Sequence, residues 1–425
     1  MVSFDPIAYL NEPRWRSMSL GLDRISELLD ALGNPQNNLR FVHVAGTNGK
    51  GSTSAFIAQI LQEAGYKVGL FTSPYIIKFE ERIQINRQTI PYNNLVEVTA
   101  RVRDVAETMQ EHPTEFELMT ATAFLYFSEK KCDVVVTEVG LGGRLDSTNV
   151  ITNVEVSVIT PIAFDHCAVL GNTIAEIAQE KAGIIKKGIP VVSASQVKEA
   201  REVIERTAKE KGVSASFAEG AIEGDNACFS YGGFDNLNIS LLGRYQRNNA
   251  VLALEAARCL QNKGWSISND AIYKGLAHTA WPGRFEIIGR EPLVIVDGSH
   301  NEQGVESLVE TLSYRYKDYP IVFVVGILED KAHRKMLERL VSLGSAFVVI
   351  PVNNPRAFPV HALAQEIEQV VAERLLTVNV YEAQTIEEGI AKAVALVPHD
   401  GVICACGSLY SIADIKRVVK NLTLK

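Results

Sequence analysis

Short apolar runs rich in β-branched residues alternate with segments of helical period along most of this chain. That alternation confines it to an α/β architecture built on largely parallel sheets. In the first half the runs are Phe41–Ala45, Val68–Thr72, Val134–Val139, Val154–Ile159 and Ile189–Ser193. They are apolar at successive rather than alternate positions, so both faces must be covered, as helices cover a parallel sheet. Ser52–Gly65, with Phe56, Ile57, Ile60, Leu61 and Ala64 at helical spacing, predicts a helix, as do 199–211 and Asn249–Leu260. Residues 212–242, rich in Gly, Ser, Asn and aromatics, predict a small β-rich excursion. A second series begins near residue 290. Its strands are Leu293–Asp297, Ile321–Val325, Ala346–Pro351, Thr377–Tyr381 and Val402–Cys406, with helical patterns such as Glu302–Tyr314 and Ile386–Leu396 between them.

A chain of 425 residues is too long for one ordinary core, and the two series divide it into domains at 1–285 and 286–425. Thr279–Pro292, with two prolines and two glycines, is the predicted linker. The net charge of −8 argues against a nucleic-acid partner, which needs a basic face. The cysteines Cys132, Cys167, Cys228, Cys259, Cys404 and Cys406 form no CxxC pair and predict neither zinc nor disulfides. The N-terminal stretch lacks the apolar core of a signal peptide, and no apolar run is long enough to cross a bilayer. The expected protein is cytoplasmic, without membrane partners.

Four motifs carry chemistry. Gly46-Thr47-Asn48-Gly49-Lys50-Gly51-Ser52 follows a predicted strand and opens a predicted helix. In that context glycines let backbone N–H groups approach phosphate oxygens, the helix N-terminus favours the anion, and a lysine reaches the outer phosphates. The spacing departs from the common phosphate loop, since only Thr47 and Asn48 separate the first two glycines and Gly51 intervenes before Ser52. Glu138, leading Glu138-Val-Gly-Leu-Gly-Gly-Arg-Leu-Asp-Ser-Thr-Asn149, stands at a strand's carboxyl end, where it can hold Mg²⁺ near phosphates or simply cap a turn. Asp165-His166 and Glu180-Lys181-Ala-Gly-Ile184 form the third group; taken alone, a lone histidine or lysine is ordinarily structural or solvated. Asp297-Gly-Ser-His300-Asn301 and Gly407-Ser408-Leu-Tyr410 end strands of the second series, where ligand contact and plain helix capping are both open readings.

Together these motifs, from about Leu20 to Tyr410, resemble the Mur ligase superfamily and within it the folylpolyglutamate synthase and dihydrofolate synthase branch. The Glu138–Asn149 run, Asp165-His166…Leu170-Gly-Asn-Thr173…Glu180–Ile184 and Trp281-Pro-Gly-Arg284 are the more specific parts. Ser299 stands where that family usually has alanine. The resemblance implies a phosphate-loop ATPase-type domain over 1–285 and a smaller Rossmann-like glutamate-ligase domain over 286–425. It implies ATP bound by Thr47, Asn48, Gly49, Lys50, Gly51 and Ser52, with Asn249, Arg284 and Asp297 on the nucleotide. It implies Mg²⁺ at two sites, held by Ser73, Glu138 and His166, and allows a monovalent cation such as K⁺. Lys181 matches a lysine carried as a carbamate, and Lys50, Lys181 and His300 are the implied catalytic residues. Phe79 and Arg82, in the segment Ser73–Arg82, would face the pterin; Ser408 and Tyr410 would border the glutamate.

The implied reaction joins L-glutamate to the γ-carboxylate of folate through an acyl phosphate in a monomeric enzyme. Whether dihydropteroate is a second acceptor stays open. A cell-wall Mur ligase is disfavoured because the phosphate loop begins already at Gly46, where such enzymes carry a separate UDP-binding domain. A nucleotide switch would have no need of the second and third motifs.

Overall fold

The computed structural model describes residues 4–12, 20–219, 223–224 and 228–423. Parts of the N-terminal stretch and of the expected β-rich excursion, residues 220–222 and 225–227, lie outside the described residues. Two compact units form: Met1–Ser240 with Arg247–Ala280, and Leu241–Gln246 with Trp281–Lys425.

The first unit is built on an eight-stranded sheet of order β4-β3-β2-β5-β1-β6-β7-β8. Its strands are β1 Phe41–Ala45, β2 Val68–Phe71, β3 Ile83–Ile85, β4 Gln88–Thr89, β5 Val134–Glu138, β6 Val154–Ile159, β7 Val191–Ala194 and β8 Ala215–Ala218. All neighbours from β2 through β8 run parallel; β3 and β4 are antiparallel additions at one edge. Every residue of β1, β2, β5 and β7 is buried, as strands covered on both faces must be. The β3–β4 hairpin has no counterpart among the sequence expectations. Its turn residues, Asn86 and Arg87, both have positive φ, at 47° and 64°, and Asn-Arg is not a pair that advertises such a turn. The expected excursion contributes β8 to the main sheet and then β9 Glu223–Gly224, β10 Cys228–Tyr231 and β11 Phe234–Asn238, a separate three-stranded sheet.

The second unit has a six-stranded sheet of order β12-β13-β17-β14-β15-β16, formed by Glu286–Arg290, Leu293–Val296, Val402–Cys406, Ile321–Val325, Ala346–Val349 and Asn379–Glu382 respectively. All pairs are parallel except β12 with β13. The second half of the predicted linker is therefore a strand. As an antiparallel edge strand with an irregularity between Ile287 and Gly289, β12 tolerates the glycine and the nearby proline that made the segment read as a connector. Among the described residues no helix is long and apolar enough to cross a membrane.

Candidate active site

In the first unit β1 lies centrally, between β5 and β6, and its carboxyl end feeds the phosphate loop. The helix Lys50–Glu63 starts inside that loop, with Gly49 as its cap at φ 86° and no side chain capping it. A Cβ at Gly49 would strain the left-handed backbone and stand 2.4 Å from Asn249 Oδ1, so this glycine also sets the closeness of Asn249 to the loop. Thr47 N and Asn48 N donate to the Pro161 carbonyl at 2.9 and 3.3 Å, and Thr47 Oγ1 bonds Ala163. These two residues therefore anchor the loop to the segment after β6. The amides of the first helical turn have no intrahelical acceptor, the arrangement that favours a phosphate at a helix N-terminus.

Lys50 Nζ rests 3.3 Å from the Thr47 carbonyl and 3.9 Å from Glu138 Oε1. Glu138 is 4% exposed at the end of β5, in register with Val44 of β1, and its Oε2 accepts from Ser73 N at 3.3 Å. Two of the three expected metal ligands, Glu138 and Ser73, thus stand together beside the loop. His166 caps a short helical turn in a left-handed conformation, its side chain 39% exposed and its Nε2 3.8 Å from Asp165 Oδ1. Among the described residues no three His, Cys, Asp or Glu side chains gather closely enough to hold a metal unaided. Mg²⁺ does not need such a cage, because it commonly takes one or two carboxylates and completes its shell with water and substrate phosphates. A buried carboxylate next to a phosphate loop is that donor set, and the residues fit.

Lys181 is not the solvated lysine its local sequence describes. It is 4% exposed at the end of the helix Ile174–Ala182, and its Nζ donates to the Gly46 carbonyl at 2.8 Å. Burial, helped by the Lys50 charge and opposed by Asp165 and Asp146, lowers its pKa from 10.5 to about 7. What brings it there is the glycine run after β5. A Cβ at Gly143 would stand 2.7 Å from the Glu180 carbonyl oxygen and 3.1 Å from Lys181 Cα, and Arg144 N donates to that same carbonyl at 2.7 Å. Only glycine lets this loop lie on the helix end.

Both members of the expected pterin-facing pair are buried, Arg82 at 8% exposed. Phe79 is 4% exposed and belongs to the core beneath, while Tyr75 and Ile77 are the exposed apolar side chains of the segment. The Arg82 guanidinium covers both rings, 5.1 Å from the centre of Tyr75 and 5.5 Å from that of Phe79.

In the second unit, Gly298–His300 and Gly407–Tyr410 meet at the ends of neighbouring strands β13 and β17, where Gly407 N donates to the Ser299 carbonyl at 3.0 Å. Arg284 lies against Gly298, its Nη1 2.5 Å from where a Cβ would be. Asp297, expected on the nucleotide, is 1% exposed. Its Oδ2 accepts from Tyr245 Oη and Phe285 N, both at 2.7 Å, and its Oδ1 from Ser299 N at 2.8 Å and from the Ser299 hydroxyl. A carboxylate has about four lone-pair directions, so the fold already engages this one fully. Ser408 is 1% exposed, and its Oγ accepts from Tyr410 N at 3.2 Å as a cap; Tyr410 is 45% exposed. His300 Nδ1 lies 2.8 Å from the Gly298 carbonyl.

Two family models match, the Mur ligase middle domain over residues 44–257 and the Mur ligase glutamate ligase domain over 283–409. The dihydrofolate synthase/folylpolyglutamate synthase of Bacillus subtilis is 40% identical over 94% of this chain and 95% of its own length. A crystal structure of Mycobacterium tuberculosis folylpolyglutamate synthase complexed with ADP and AMPPCP superposes with a TM-score of 0.89 at 31% identity, covering 98% of this chain and 99% of that one. The structure of Escherichia coli FolC in complex with DHPP and ADP gives 0.87 at 29% identity, covering 98% and 97%. With matches of this extent in both sequence and structure, the chain belongs to the folylpolyglutamate synthase and dihydrofolate synthase family of Mur ligases.

Proposed function

We infer that this protein is a folylpolyglutamate synthase, which uses ATP to join L-glutamate to the γ-carboxylate of a folate and releases ADP and phosphate. The observation that carries this reading is the convergence of Lys50, Glu138 and Lys181 on one phosphate loop, in a chain that spans whole relatives named for the activity. In the reading, a carboxylate oxygen of the folate attacks the γ-phosphorus and the bond to the ADP oxygen breaks. The amine of glutamate then attacks the acyl carbon, phosphate leaves, and the amine proton passes to solvent. Lys50 and the first-turn amides offset charge on the phosphoryl oxygens. Asn249 and Arg284 are assigned to the nucleotide, His300 and Tyr410 to the glutamate side, and Tyr75 with Arg82 to the folate. Glu138, Ser73 and His166 would hold Mg²⁺, which supplies positive charge to the phosphates when bound. Asp297 is assigned to holding Tyr245, Phe285 and Ser299 in place.

Glu138→Gln is expected to raise the Mg²⁺ concentration needed for half-maximal turnover by roughly tenfold or more, since a neutral amide is a poor ligand for a hard cation. The same variant should weaken Mg²⁺-dependent ADP binding in calorimetry. An unchanged Mg²⁺ titration would assign Glu138 to structure alone. The function itself is tested with purified protein, ATP, Mg²⁺ and labelled glutamate against tetrahydrofolate and dihydropteroate as separate acceptors. Label must enter tetrahydrofolate; incorporation into dihydropteroate as well makes the enzyme bifunctional, and incorporation into neither removes the reading.

A further inference from the structure

His43 is a fully buried histidine on the strand that enters the phosphate loop, and nothing in the reaction above uses it. Its Nε2 meets Thr148 Oγ1 at 2.9 Å, while Thr148 Oγ1 and N donate to Asp146 Oδ1 at 2.5 and 3.0 Å. A threonine hydroxyl has one proton to give. Because that proton goes to Asp146, the bond from His43 is donated by Nε2–H. Nδ1 is then a bare lone pair, and it has no partner among the described residues. The ring is neutral, consistent with burial and the Lys186 charge lowering its pKa to about 3.

From Asp146 the connections continue to the reaction site. Asp146 Oδ2 accepts from Leu141 N at 2.8 Å, fixing the turn that lays Gly143 on Glu180 and Lys181. Asn149 Nδ2 ties the Arg144 and Gly183 carbonyls at 3.0 and 3.2 Å, clamping the same loop to the same helix end. Lys181 Nζ then returns to the Gly46 carbonyl. The path leaves β1 at His43 and comes back to it at the first residue of the phosphate loop. An apolar side chain of similar volume would fill the His43 space without a stranded nitrogen, whose burial is unfavourable. What the histidine adds over such a side chain is the one bond it donates.

We propose that His43 is a positioning residue for phosphoryl transfer: through Thr148 and Asp146 it sets where the loop after β5 holds the Ile174–Ala182 helix, and so where Lys181 stands against the phosphate loop. The proposal rests on the ligase reading. The test uses the full-length protein assayed well below each variant's melting temperature. His43→Gln keeps an N–H donor near the Nε2 position, His43→Leu removes it, and Thr148→Val breaks both links. His43→Leu and Thr148→Val should lower kcat for glutamate ligation by roughly tenfold or more while KM for ATP stays within about twofold, and His43→Gln should recover most of the loss. Wild-type kcat in His43→Leu overturns the proposal, and so does a loss in His43→Gln equal to that in His43→Leu. Should His43→Leu fail to fold, Thr148→Val against Thr148→Ser asks the same question, with recovery expected only in the serine variant. A wild-type chain that ligates no glutamate overturns the ligase reading together with this one, whereas an active wild type with an unaffected His43→Leu overturns this one alone.

Discussion

Lys50→Ala is expected to lower turnover by roughly 10²–10³-fold, the loss that follows removal of one preorganised charge-stabilising donor, while the protein stays folded. Lys50 makes little of the fold. Its ammonium has a carbonyl at 3.3 Å and a carboxylate at 3.9 Å, and its methylenes open a helix whose stability comes from the apolar side chains behind it. Its chemical contribution is to charge on the transferring phosphoryl group, which grows towards the transition state. The melting temperature should therefore move by a few degrees at most. A secondary effect follows from electrostatics: Lys50 lowers the Lys181 pKa, so its loss raises that pKa and leaves less neutral amine. Turnover within about twofold of wild type would mean that the loop is not where phosphoryl transfer occurs.

Lys181→Ala should cost roughly 100-fold or more in turnover with ADP affinity nearly retained. The reason lies in what burial does to the amine. A lysine titrating near its ordinary 10.5 is almost wholly charged at neutral pH, whereas one brought to about 7 is about half neutral. Only the neutral amine can take up CO₂ to form a carbamate, and a carbamate places an anion beside Lys50 and the proposed Mg²⁺ ligands, where an ammonium would repel the metal. Turnover should consequently depend on bicarbonate and rise through pH 7. Acetate or another small carboxylate should restore part of the lost activity in Lys181→Ala. Stability gives an independent check of sign. The folded pKa of the unmodified amine lies below the unfolded one, so the penalty of burying the ammonium is fully present below pH 7 and fades as pH rises to 10.5. In CO₂-free buffer, wild type should gain stability relative to Lys181→Ala across that window. Activity indifferent to bicarbonate, together with an unmodified Lys181 in the mass spectrum of active enzyme, would remove the carbamate.

The two α/β units and the phosphate loop were legible because their signals are local. A strand buried on both faces is apolar at every position, and Gly46–Ser52 announces itself by standing between such a strand and a helix pattern. The site depends on contacts that local pattern does not carry. Lys181 reads as solvated until Gly143 is seen to admit the helix end beside the loop. Position alone leaves ligand contact and capping open for Asp297 and Ser408, and only the resemblance implies ligands; the Asp297 carboxylate is engaged by Tyr245, Phe285 and Ser299, and Ser408 Oγ caps a turn. The resemblance places Phe79 against the pterin, but its side chain lies in the core, in the short helix Phe79–Arg82. His43 was hidden inside an apolar run. The available hint was a histidine in a strand otherwise too apolar to tolerate one, and its partner Thr148 lies far along the chain.

The central claim is that a folate carboxylate is phosphorylated before glutamate attacks it, and oxygen transfer tests that directly. Folate carrying ¹⁸O in its γ-carboxylate is incubated with the enzyme, ATP, Mg²⁺ and glutamate, and the released phosphate is analysed by mass spectrometry. One ¹⁸O is expected in inorganic phosphate for each amide formed, with none in the nucleotide and no release of ADP when folate is omitted. Unlabelled phosphate alongside amide formation, or label recovered in AMP, would contradict the claim.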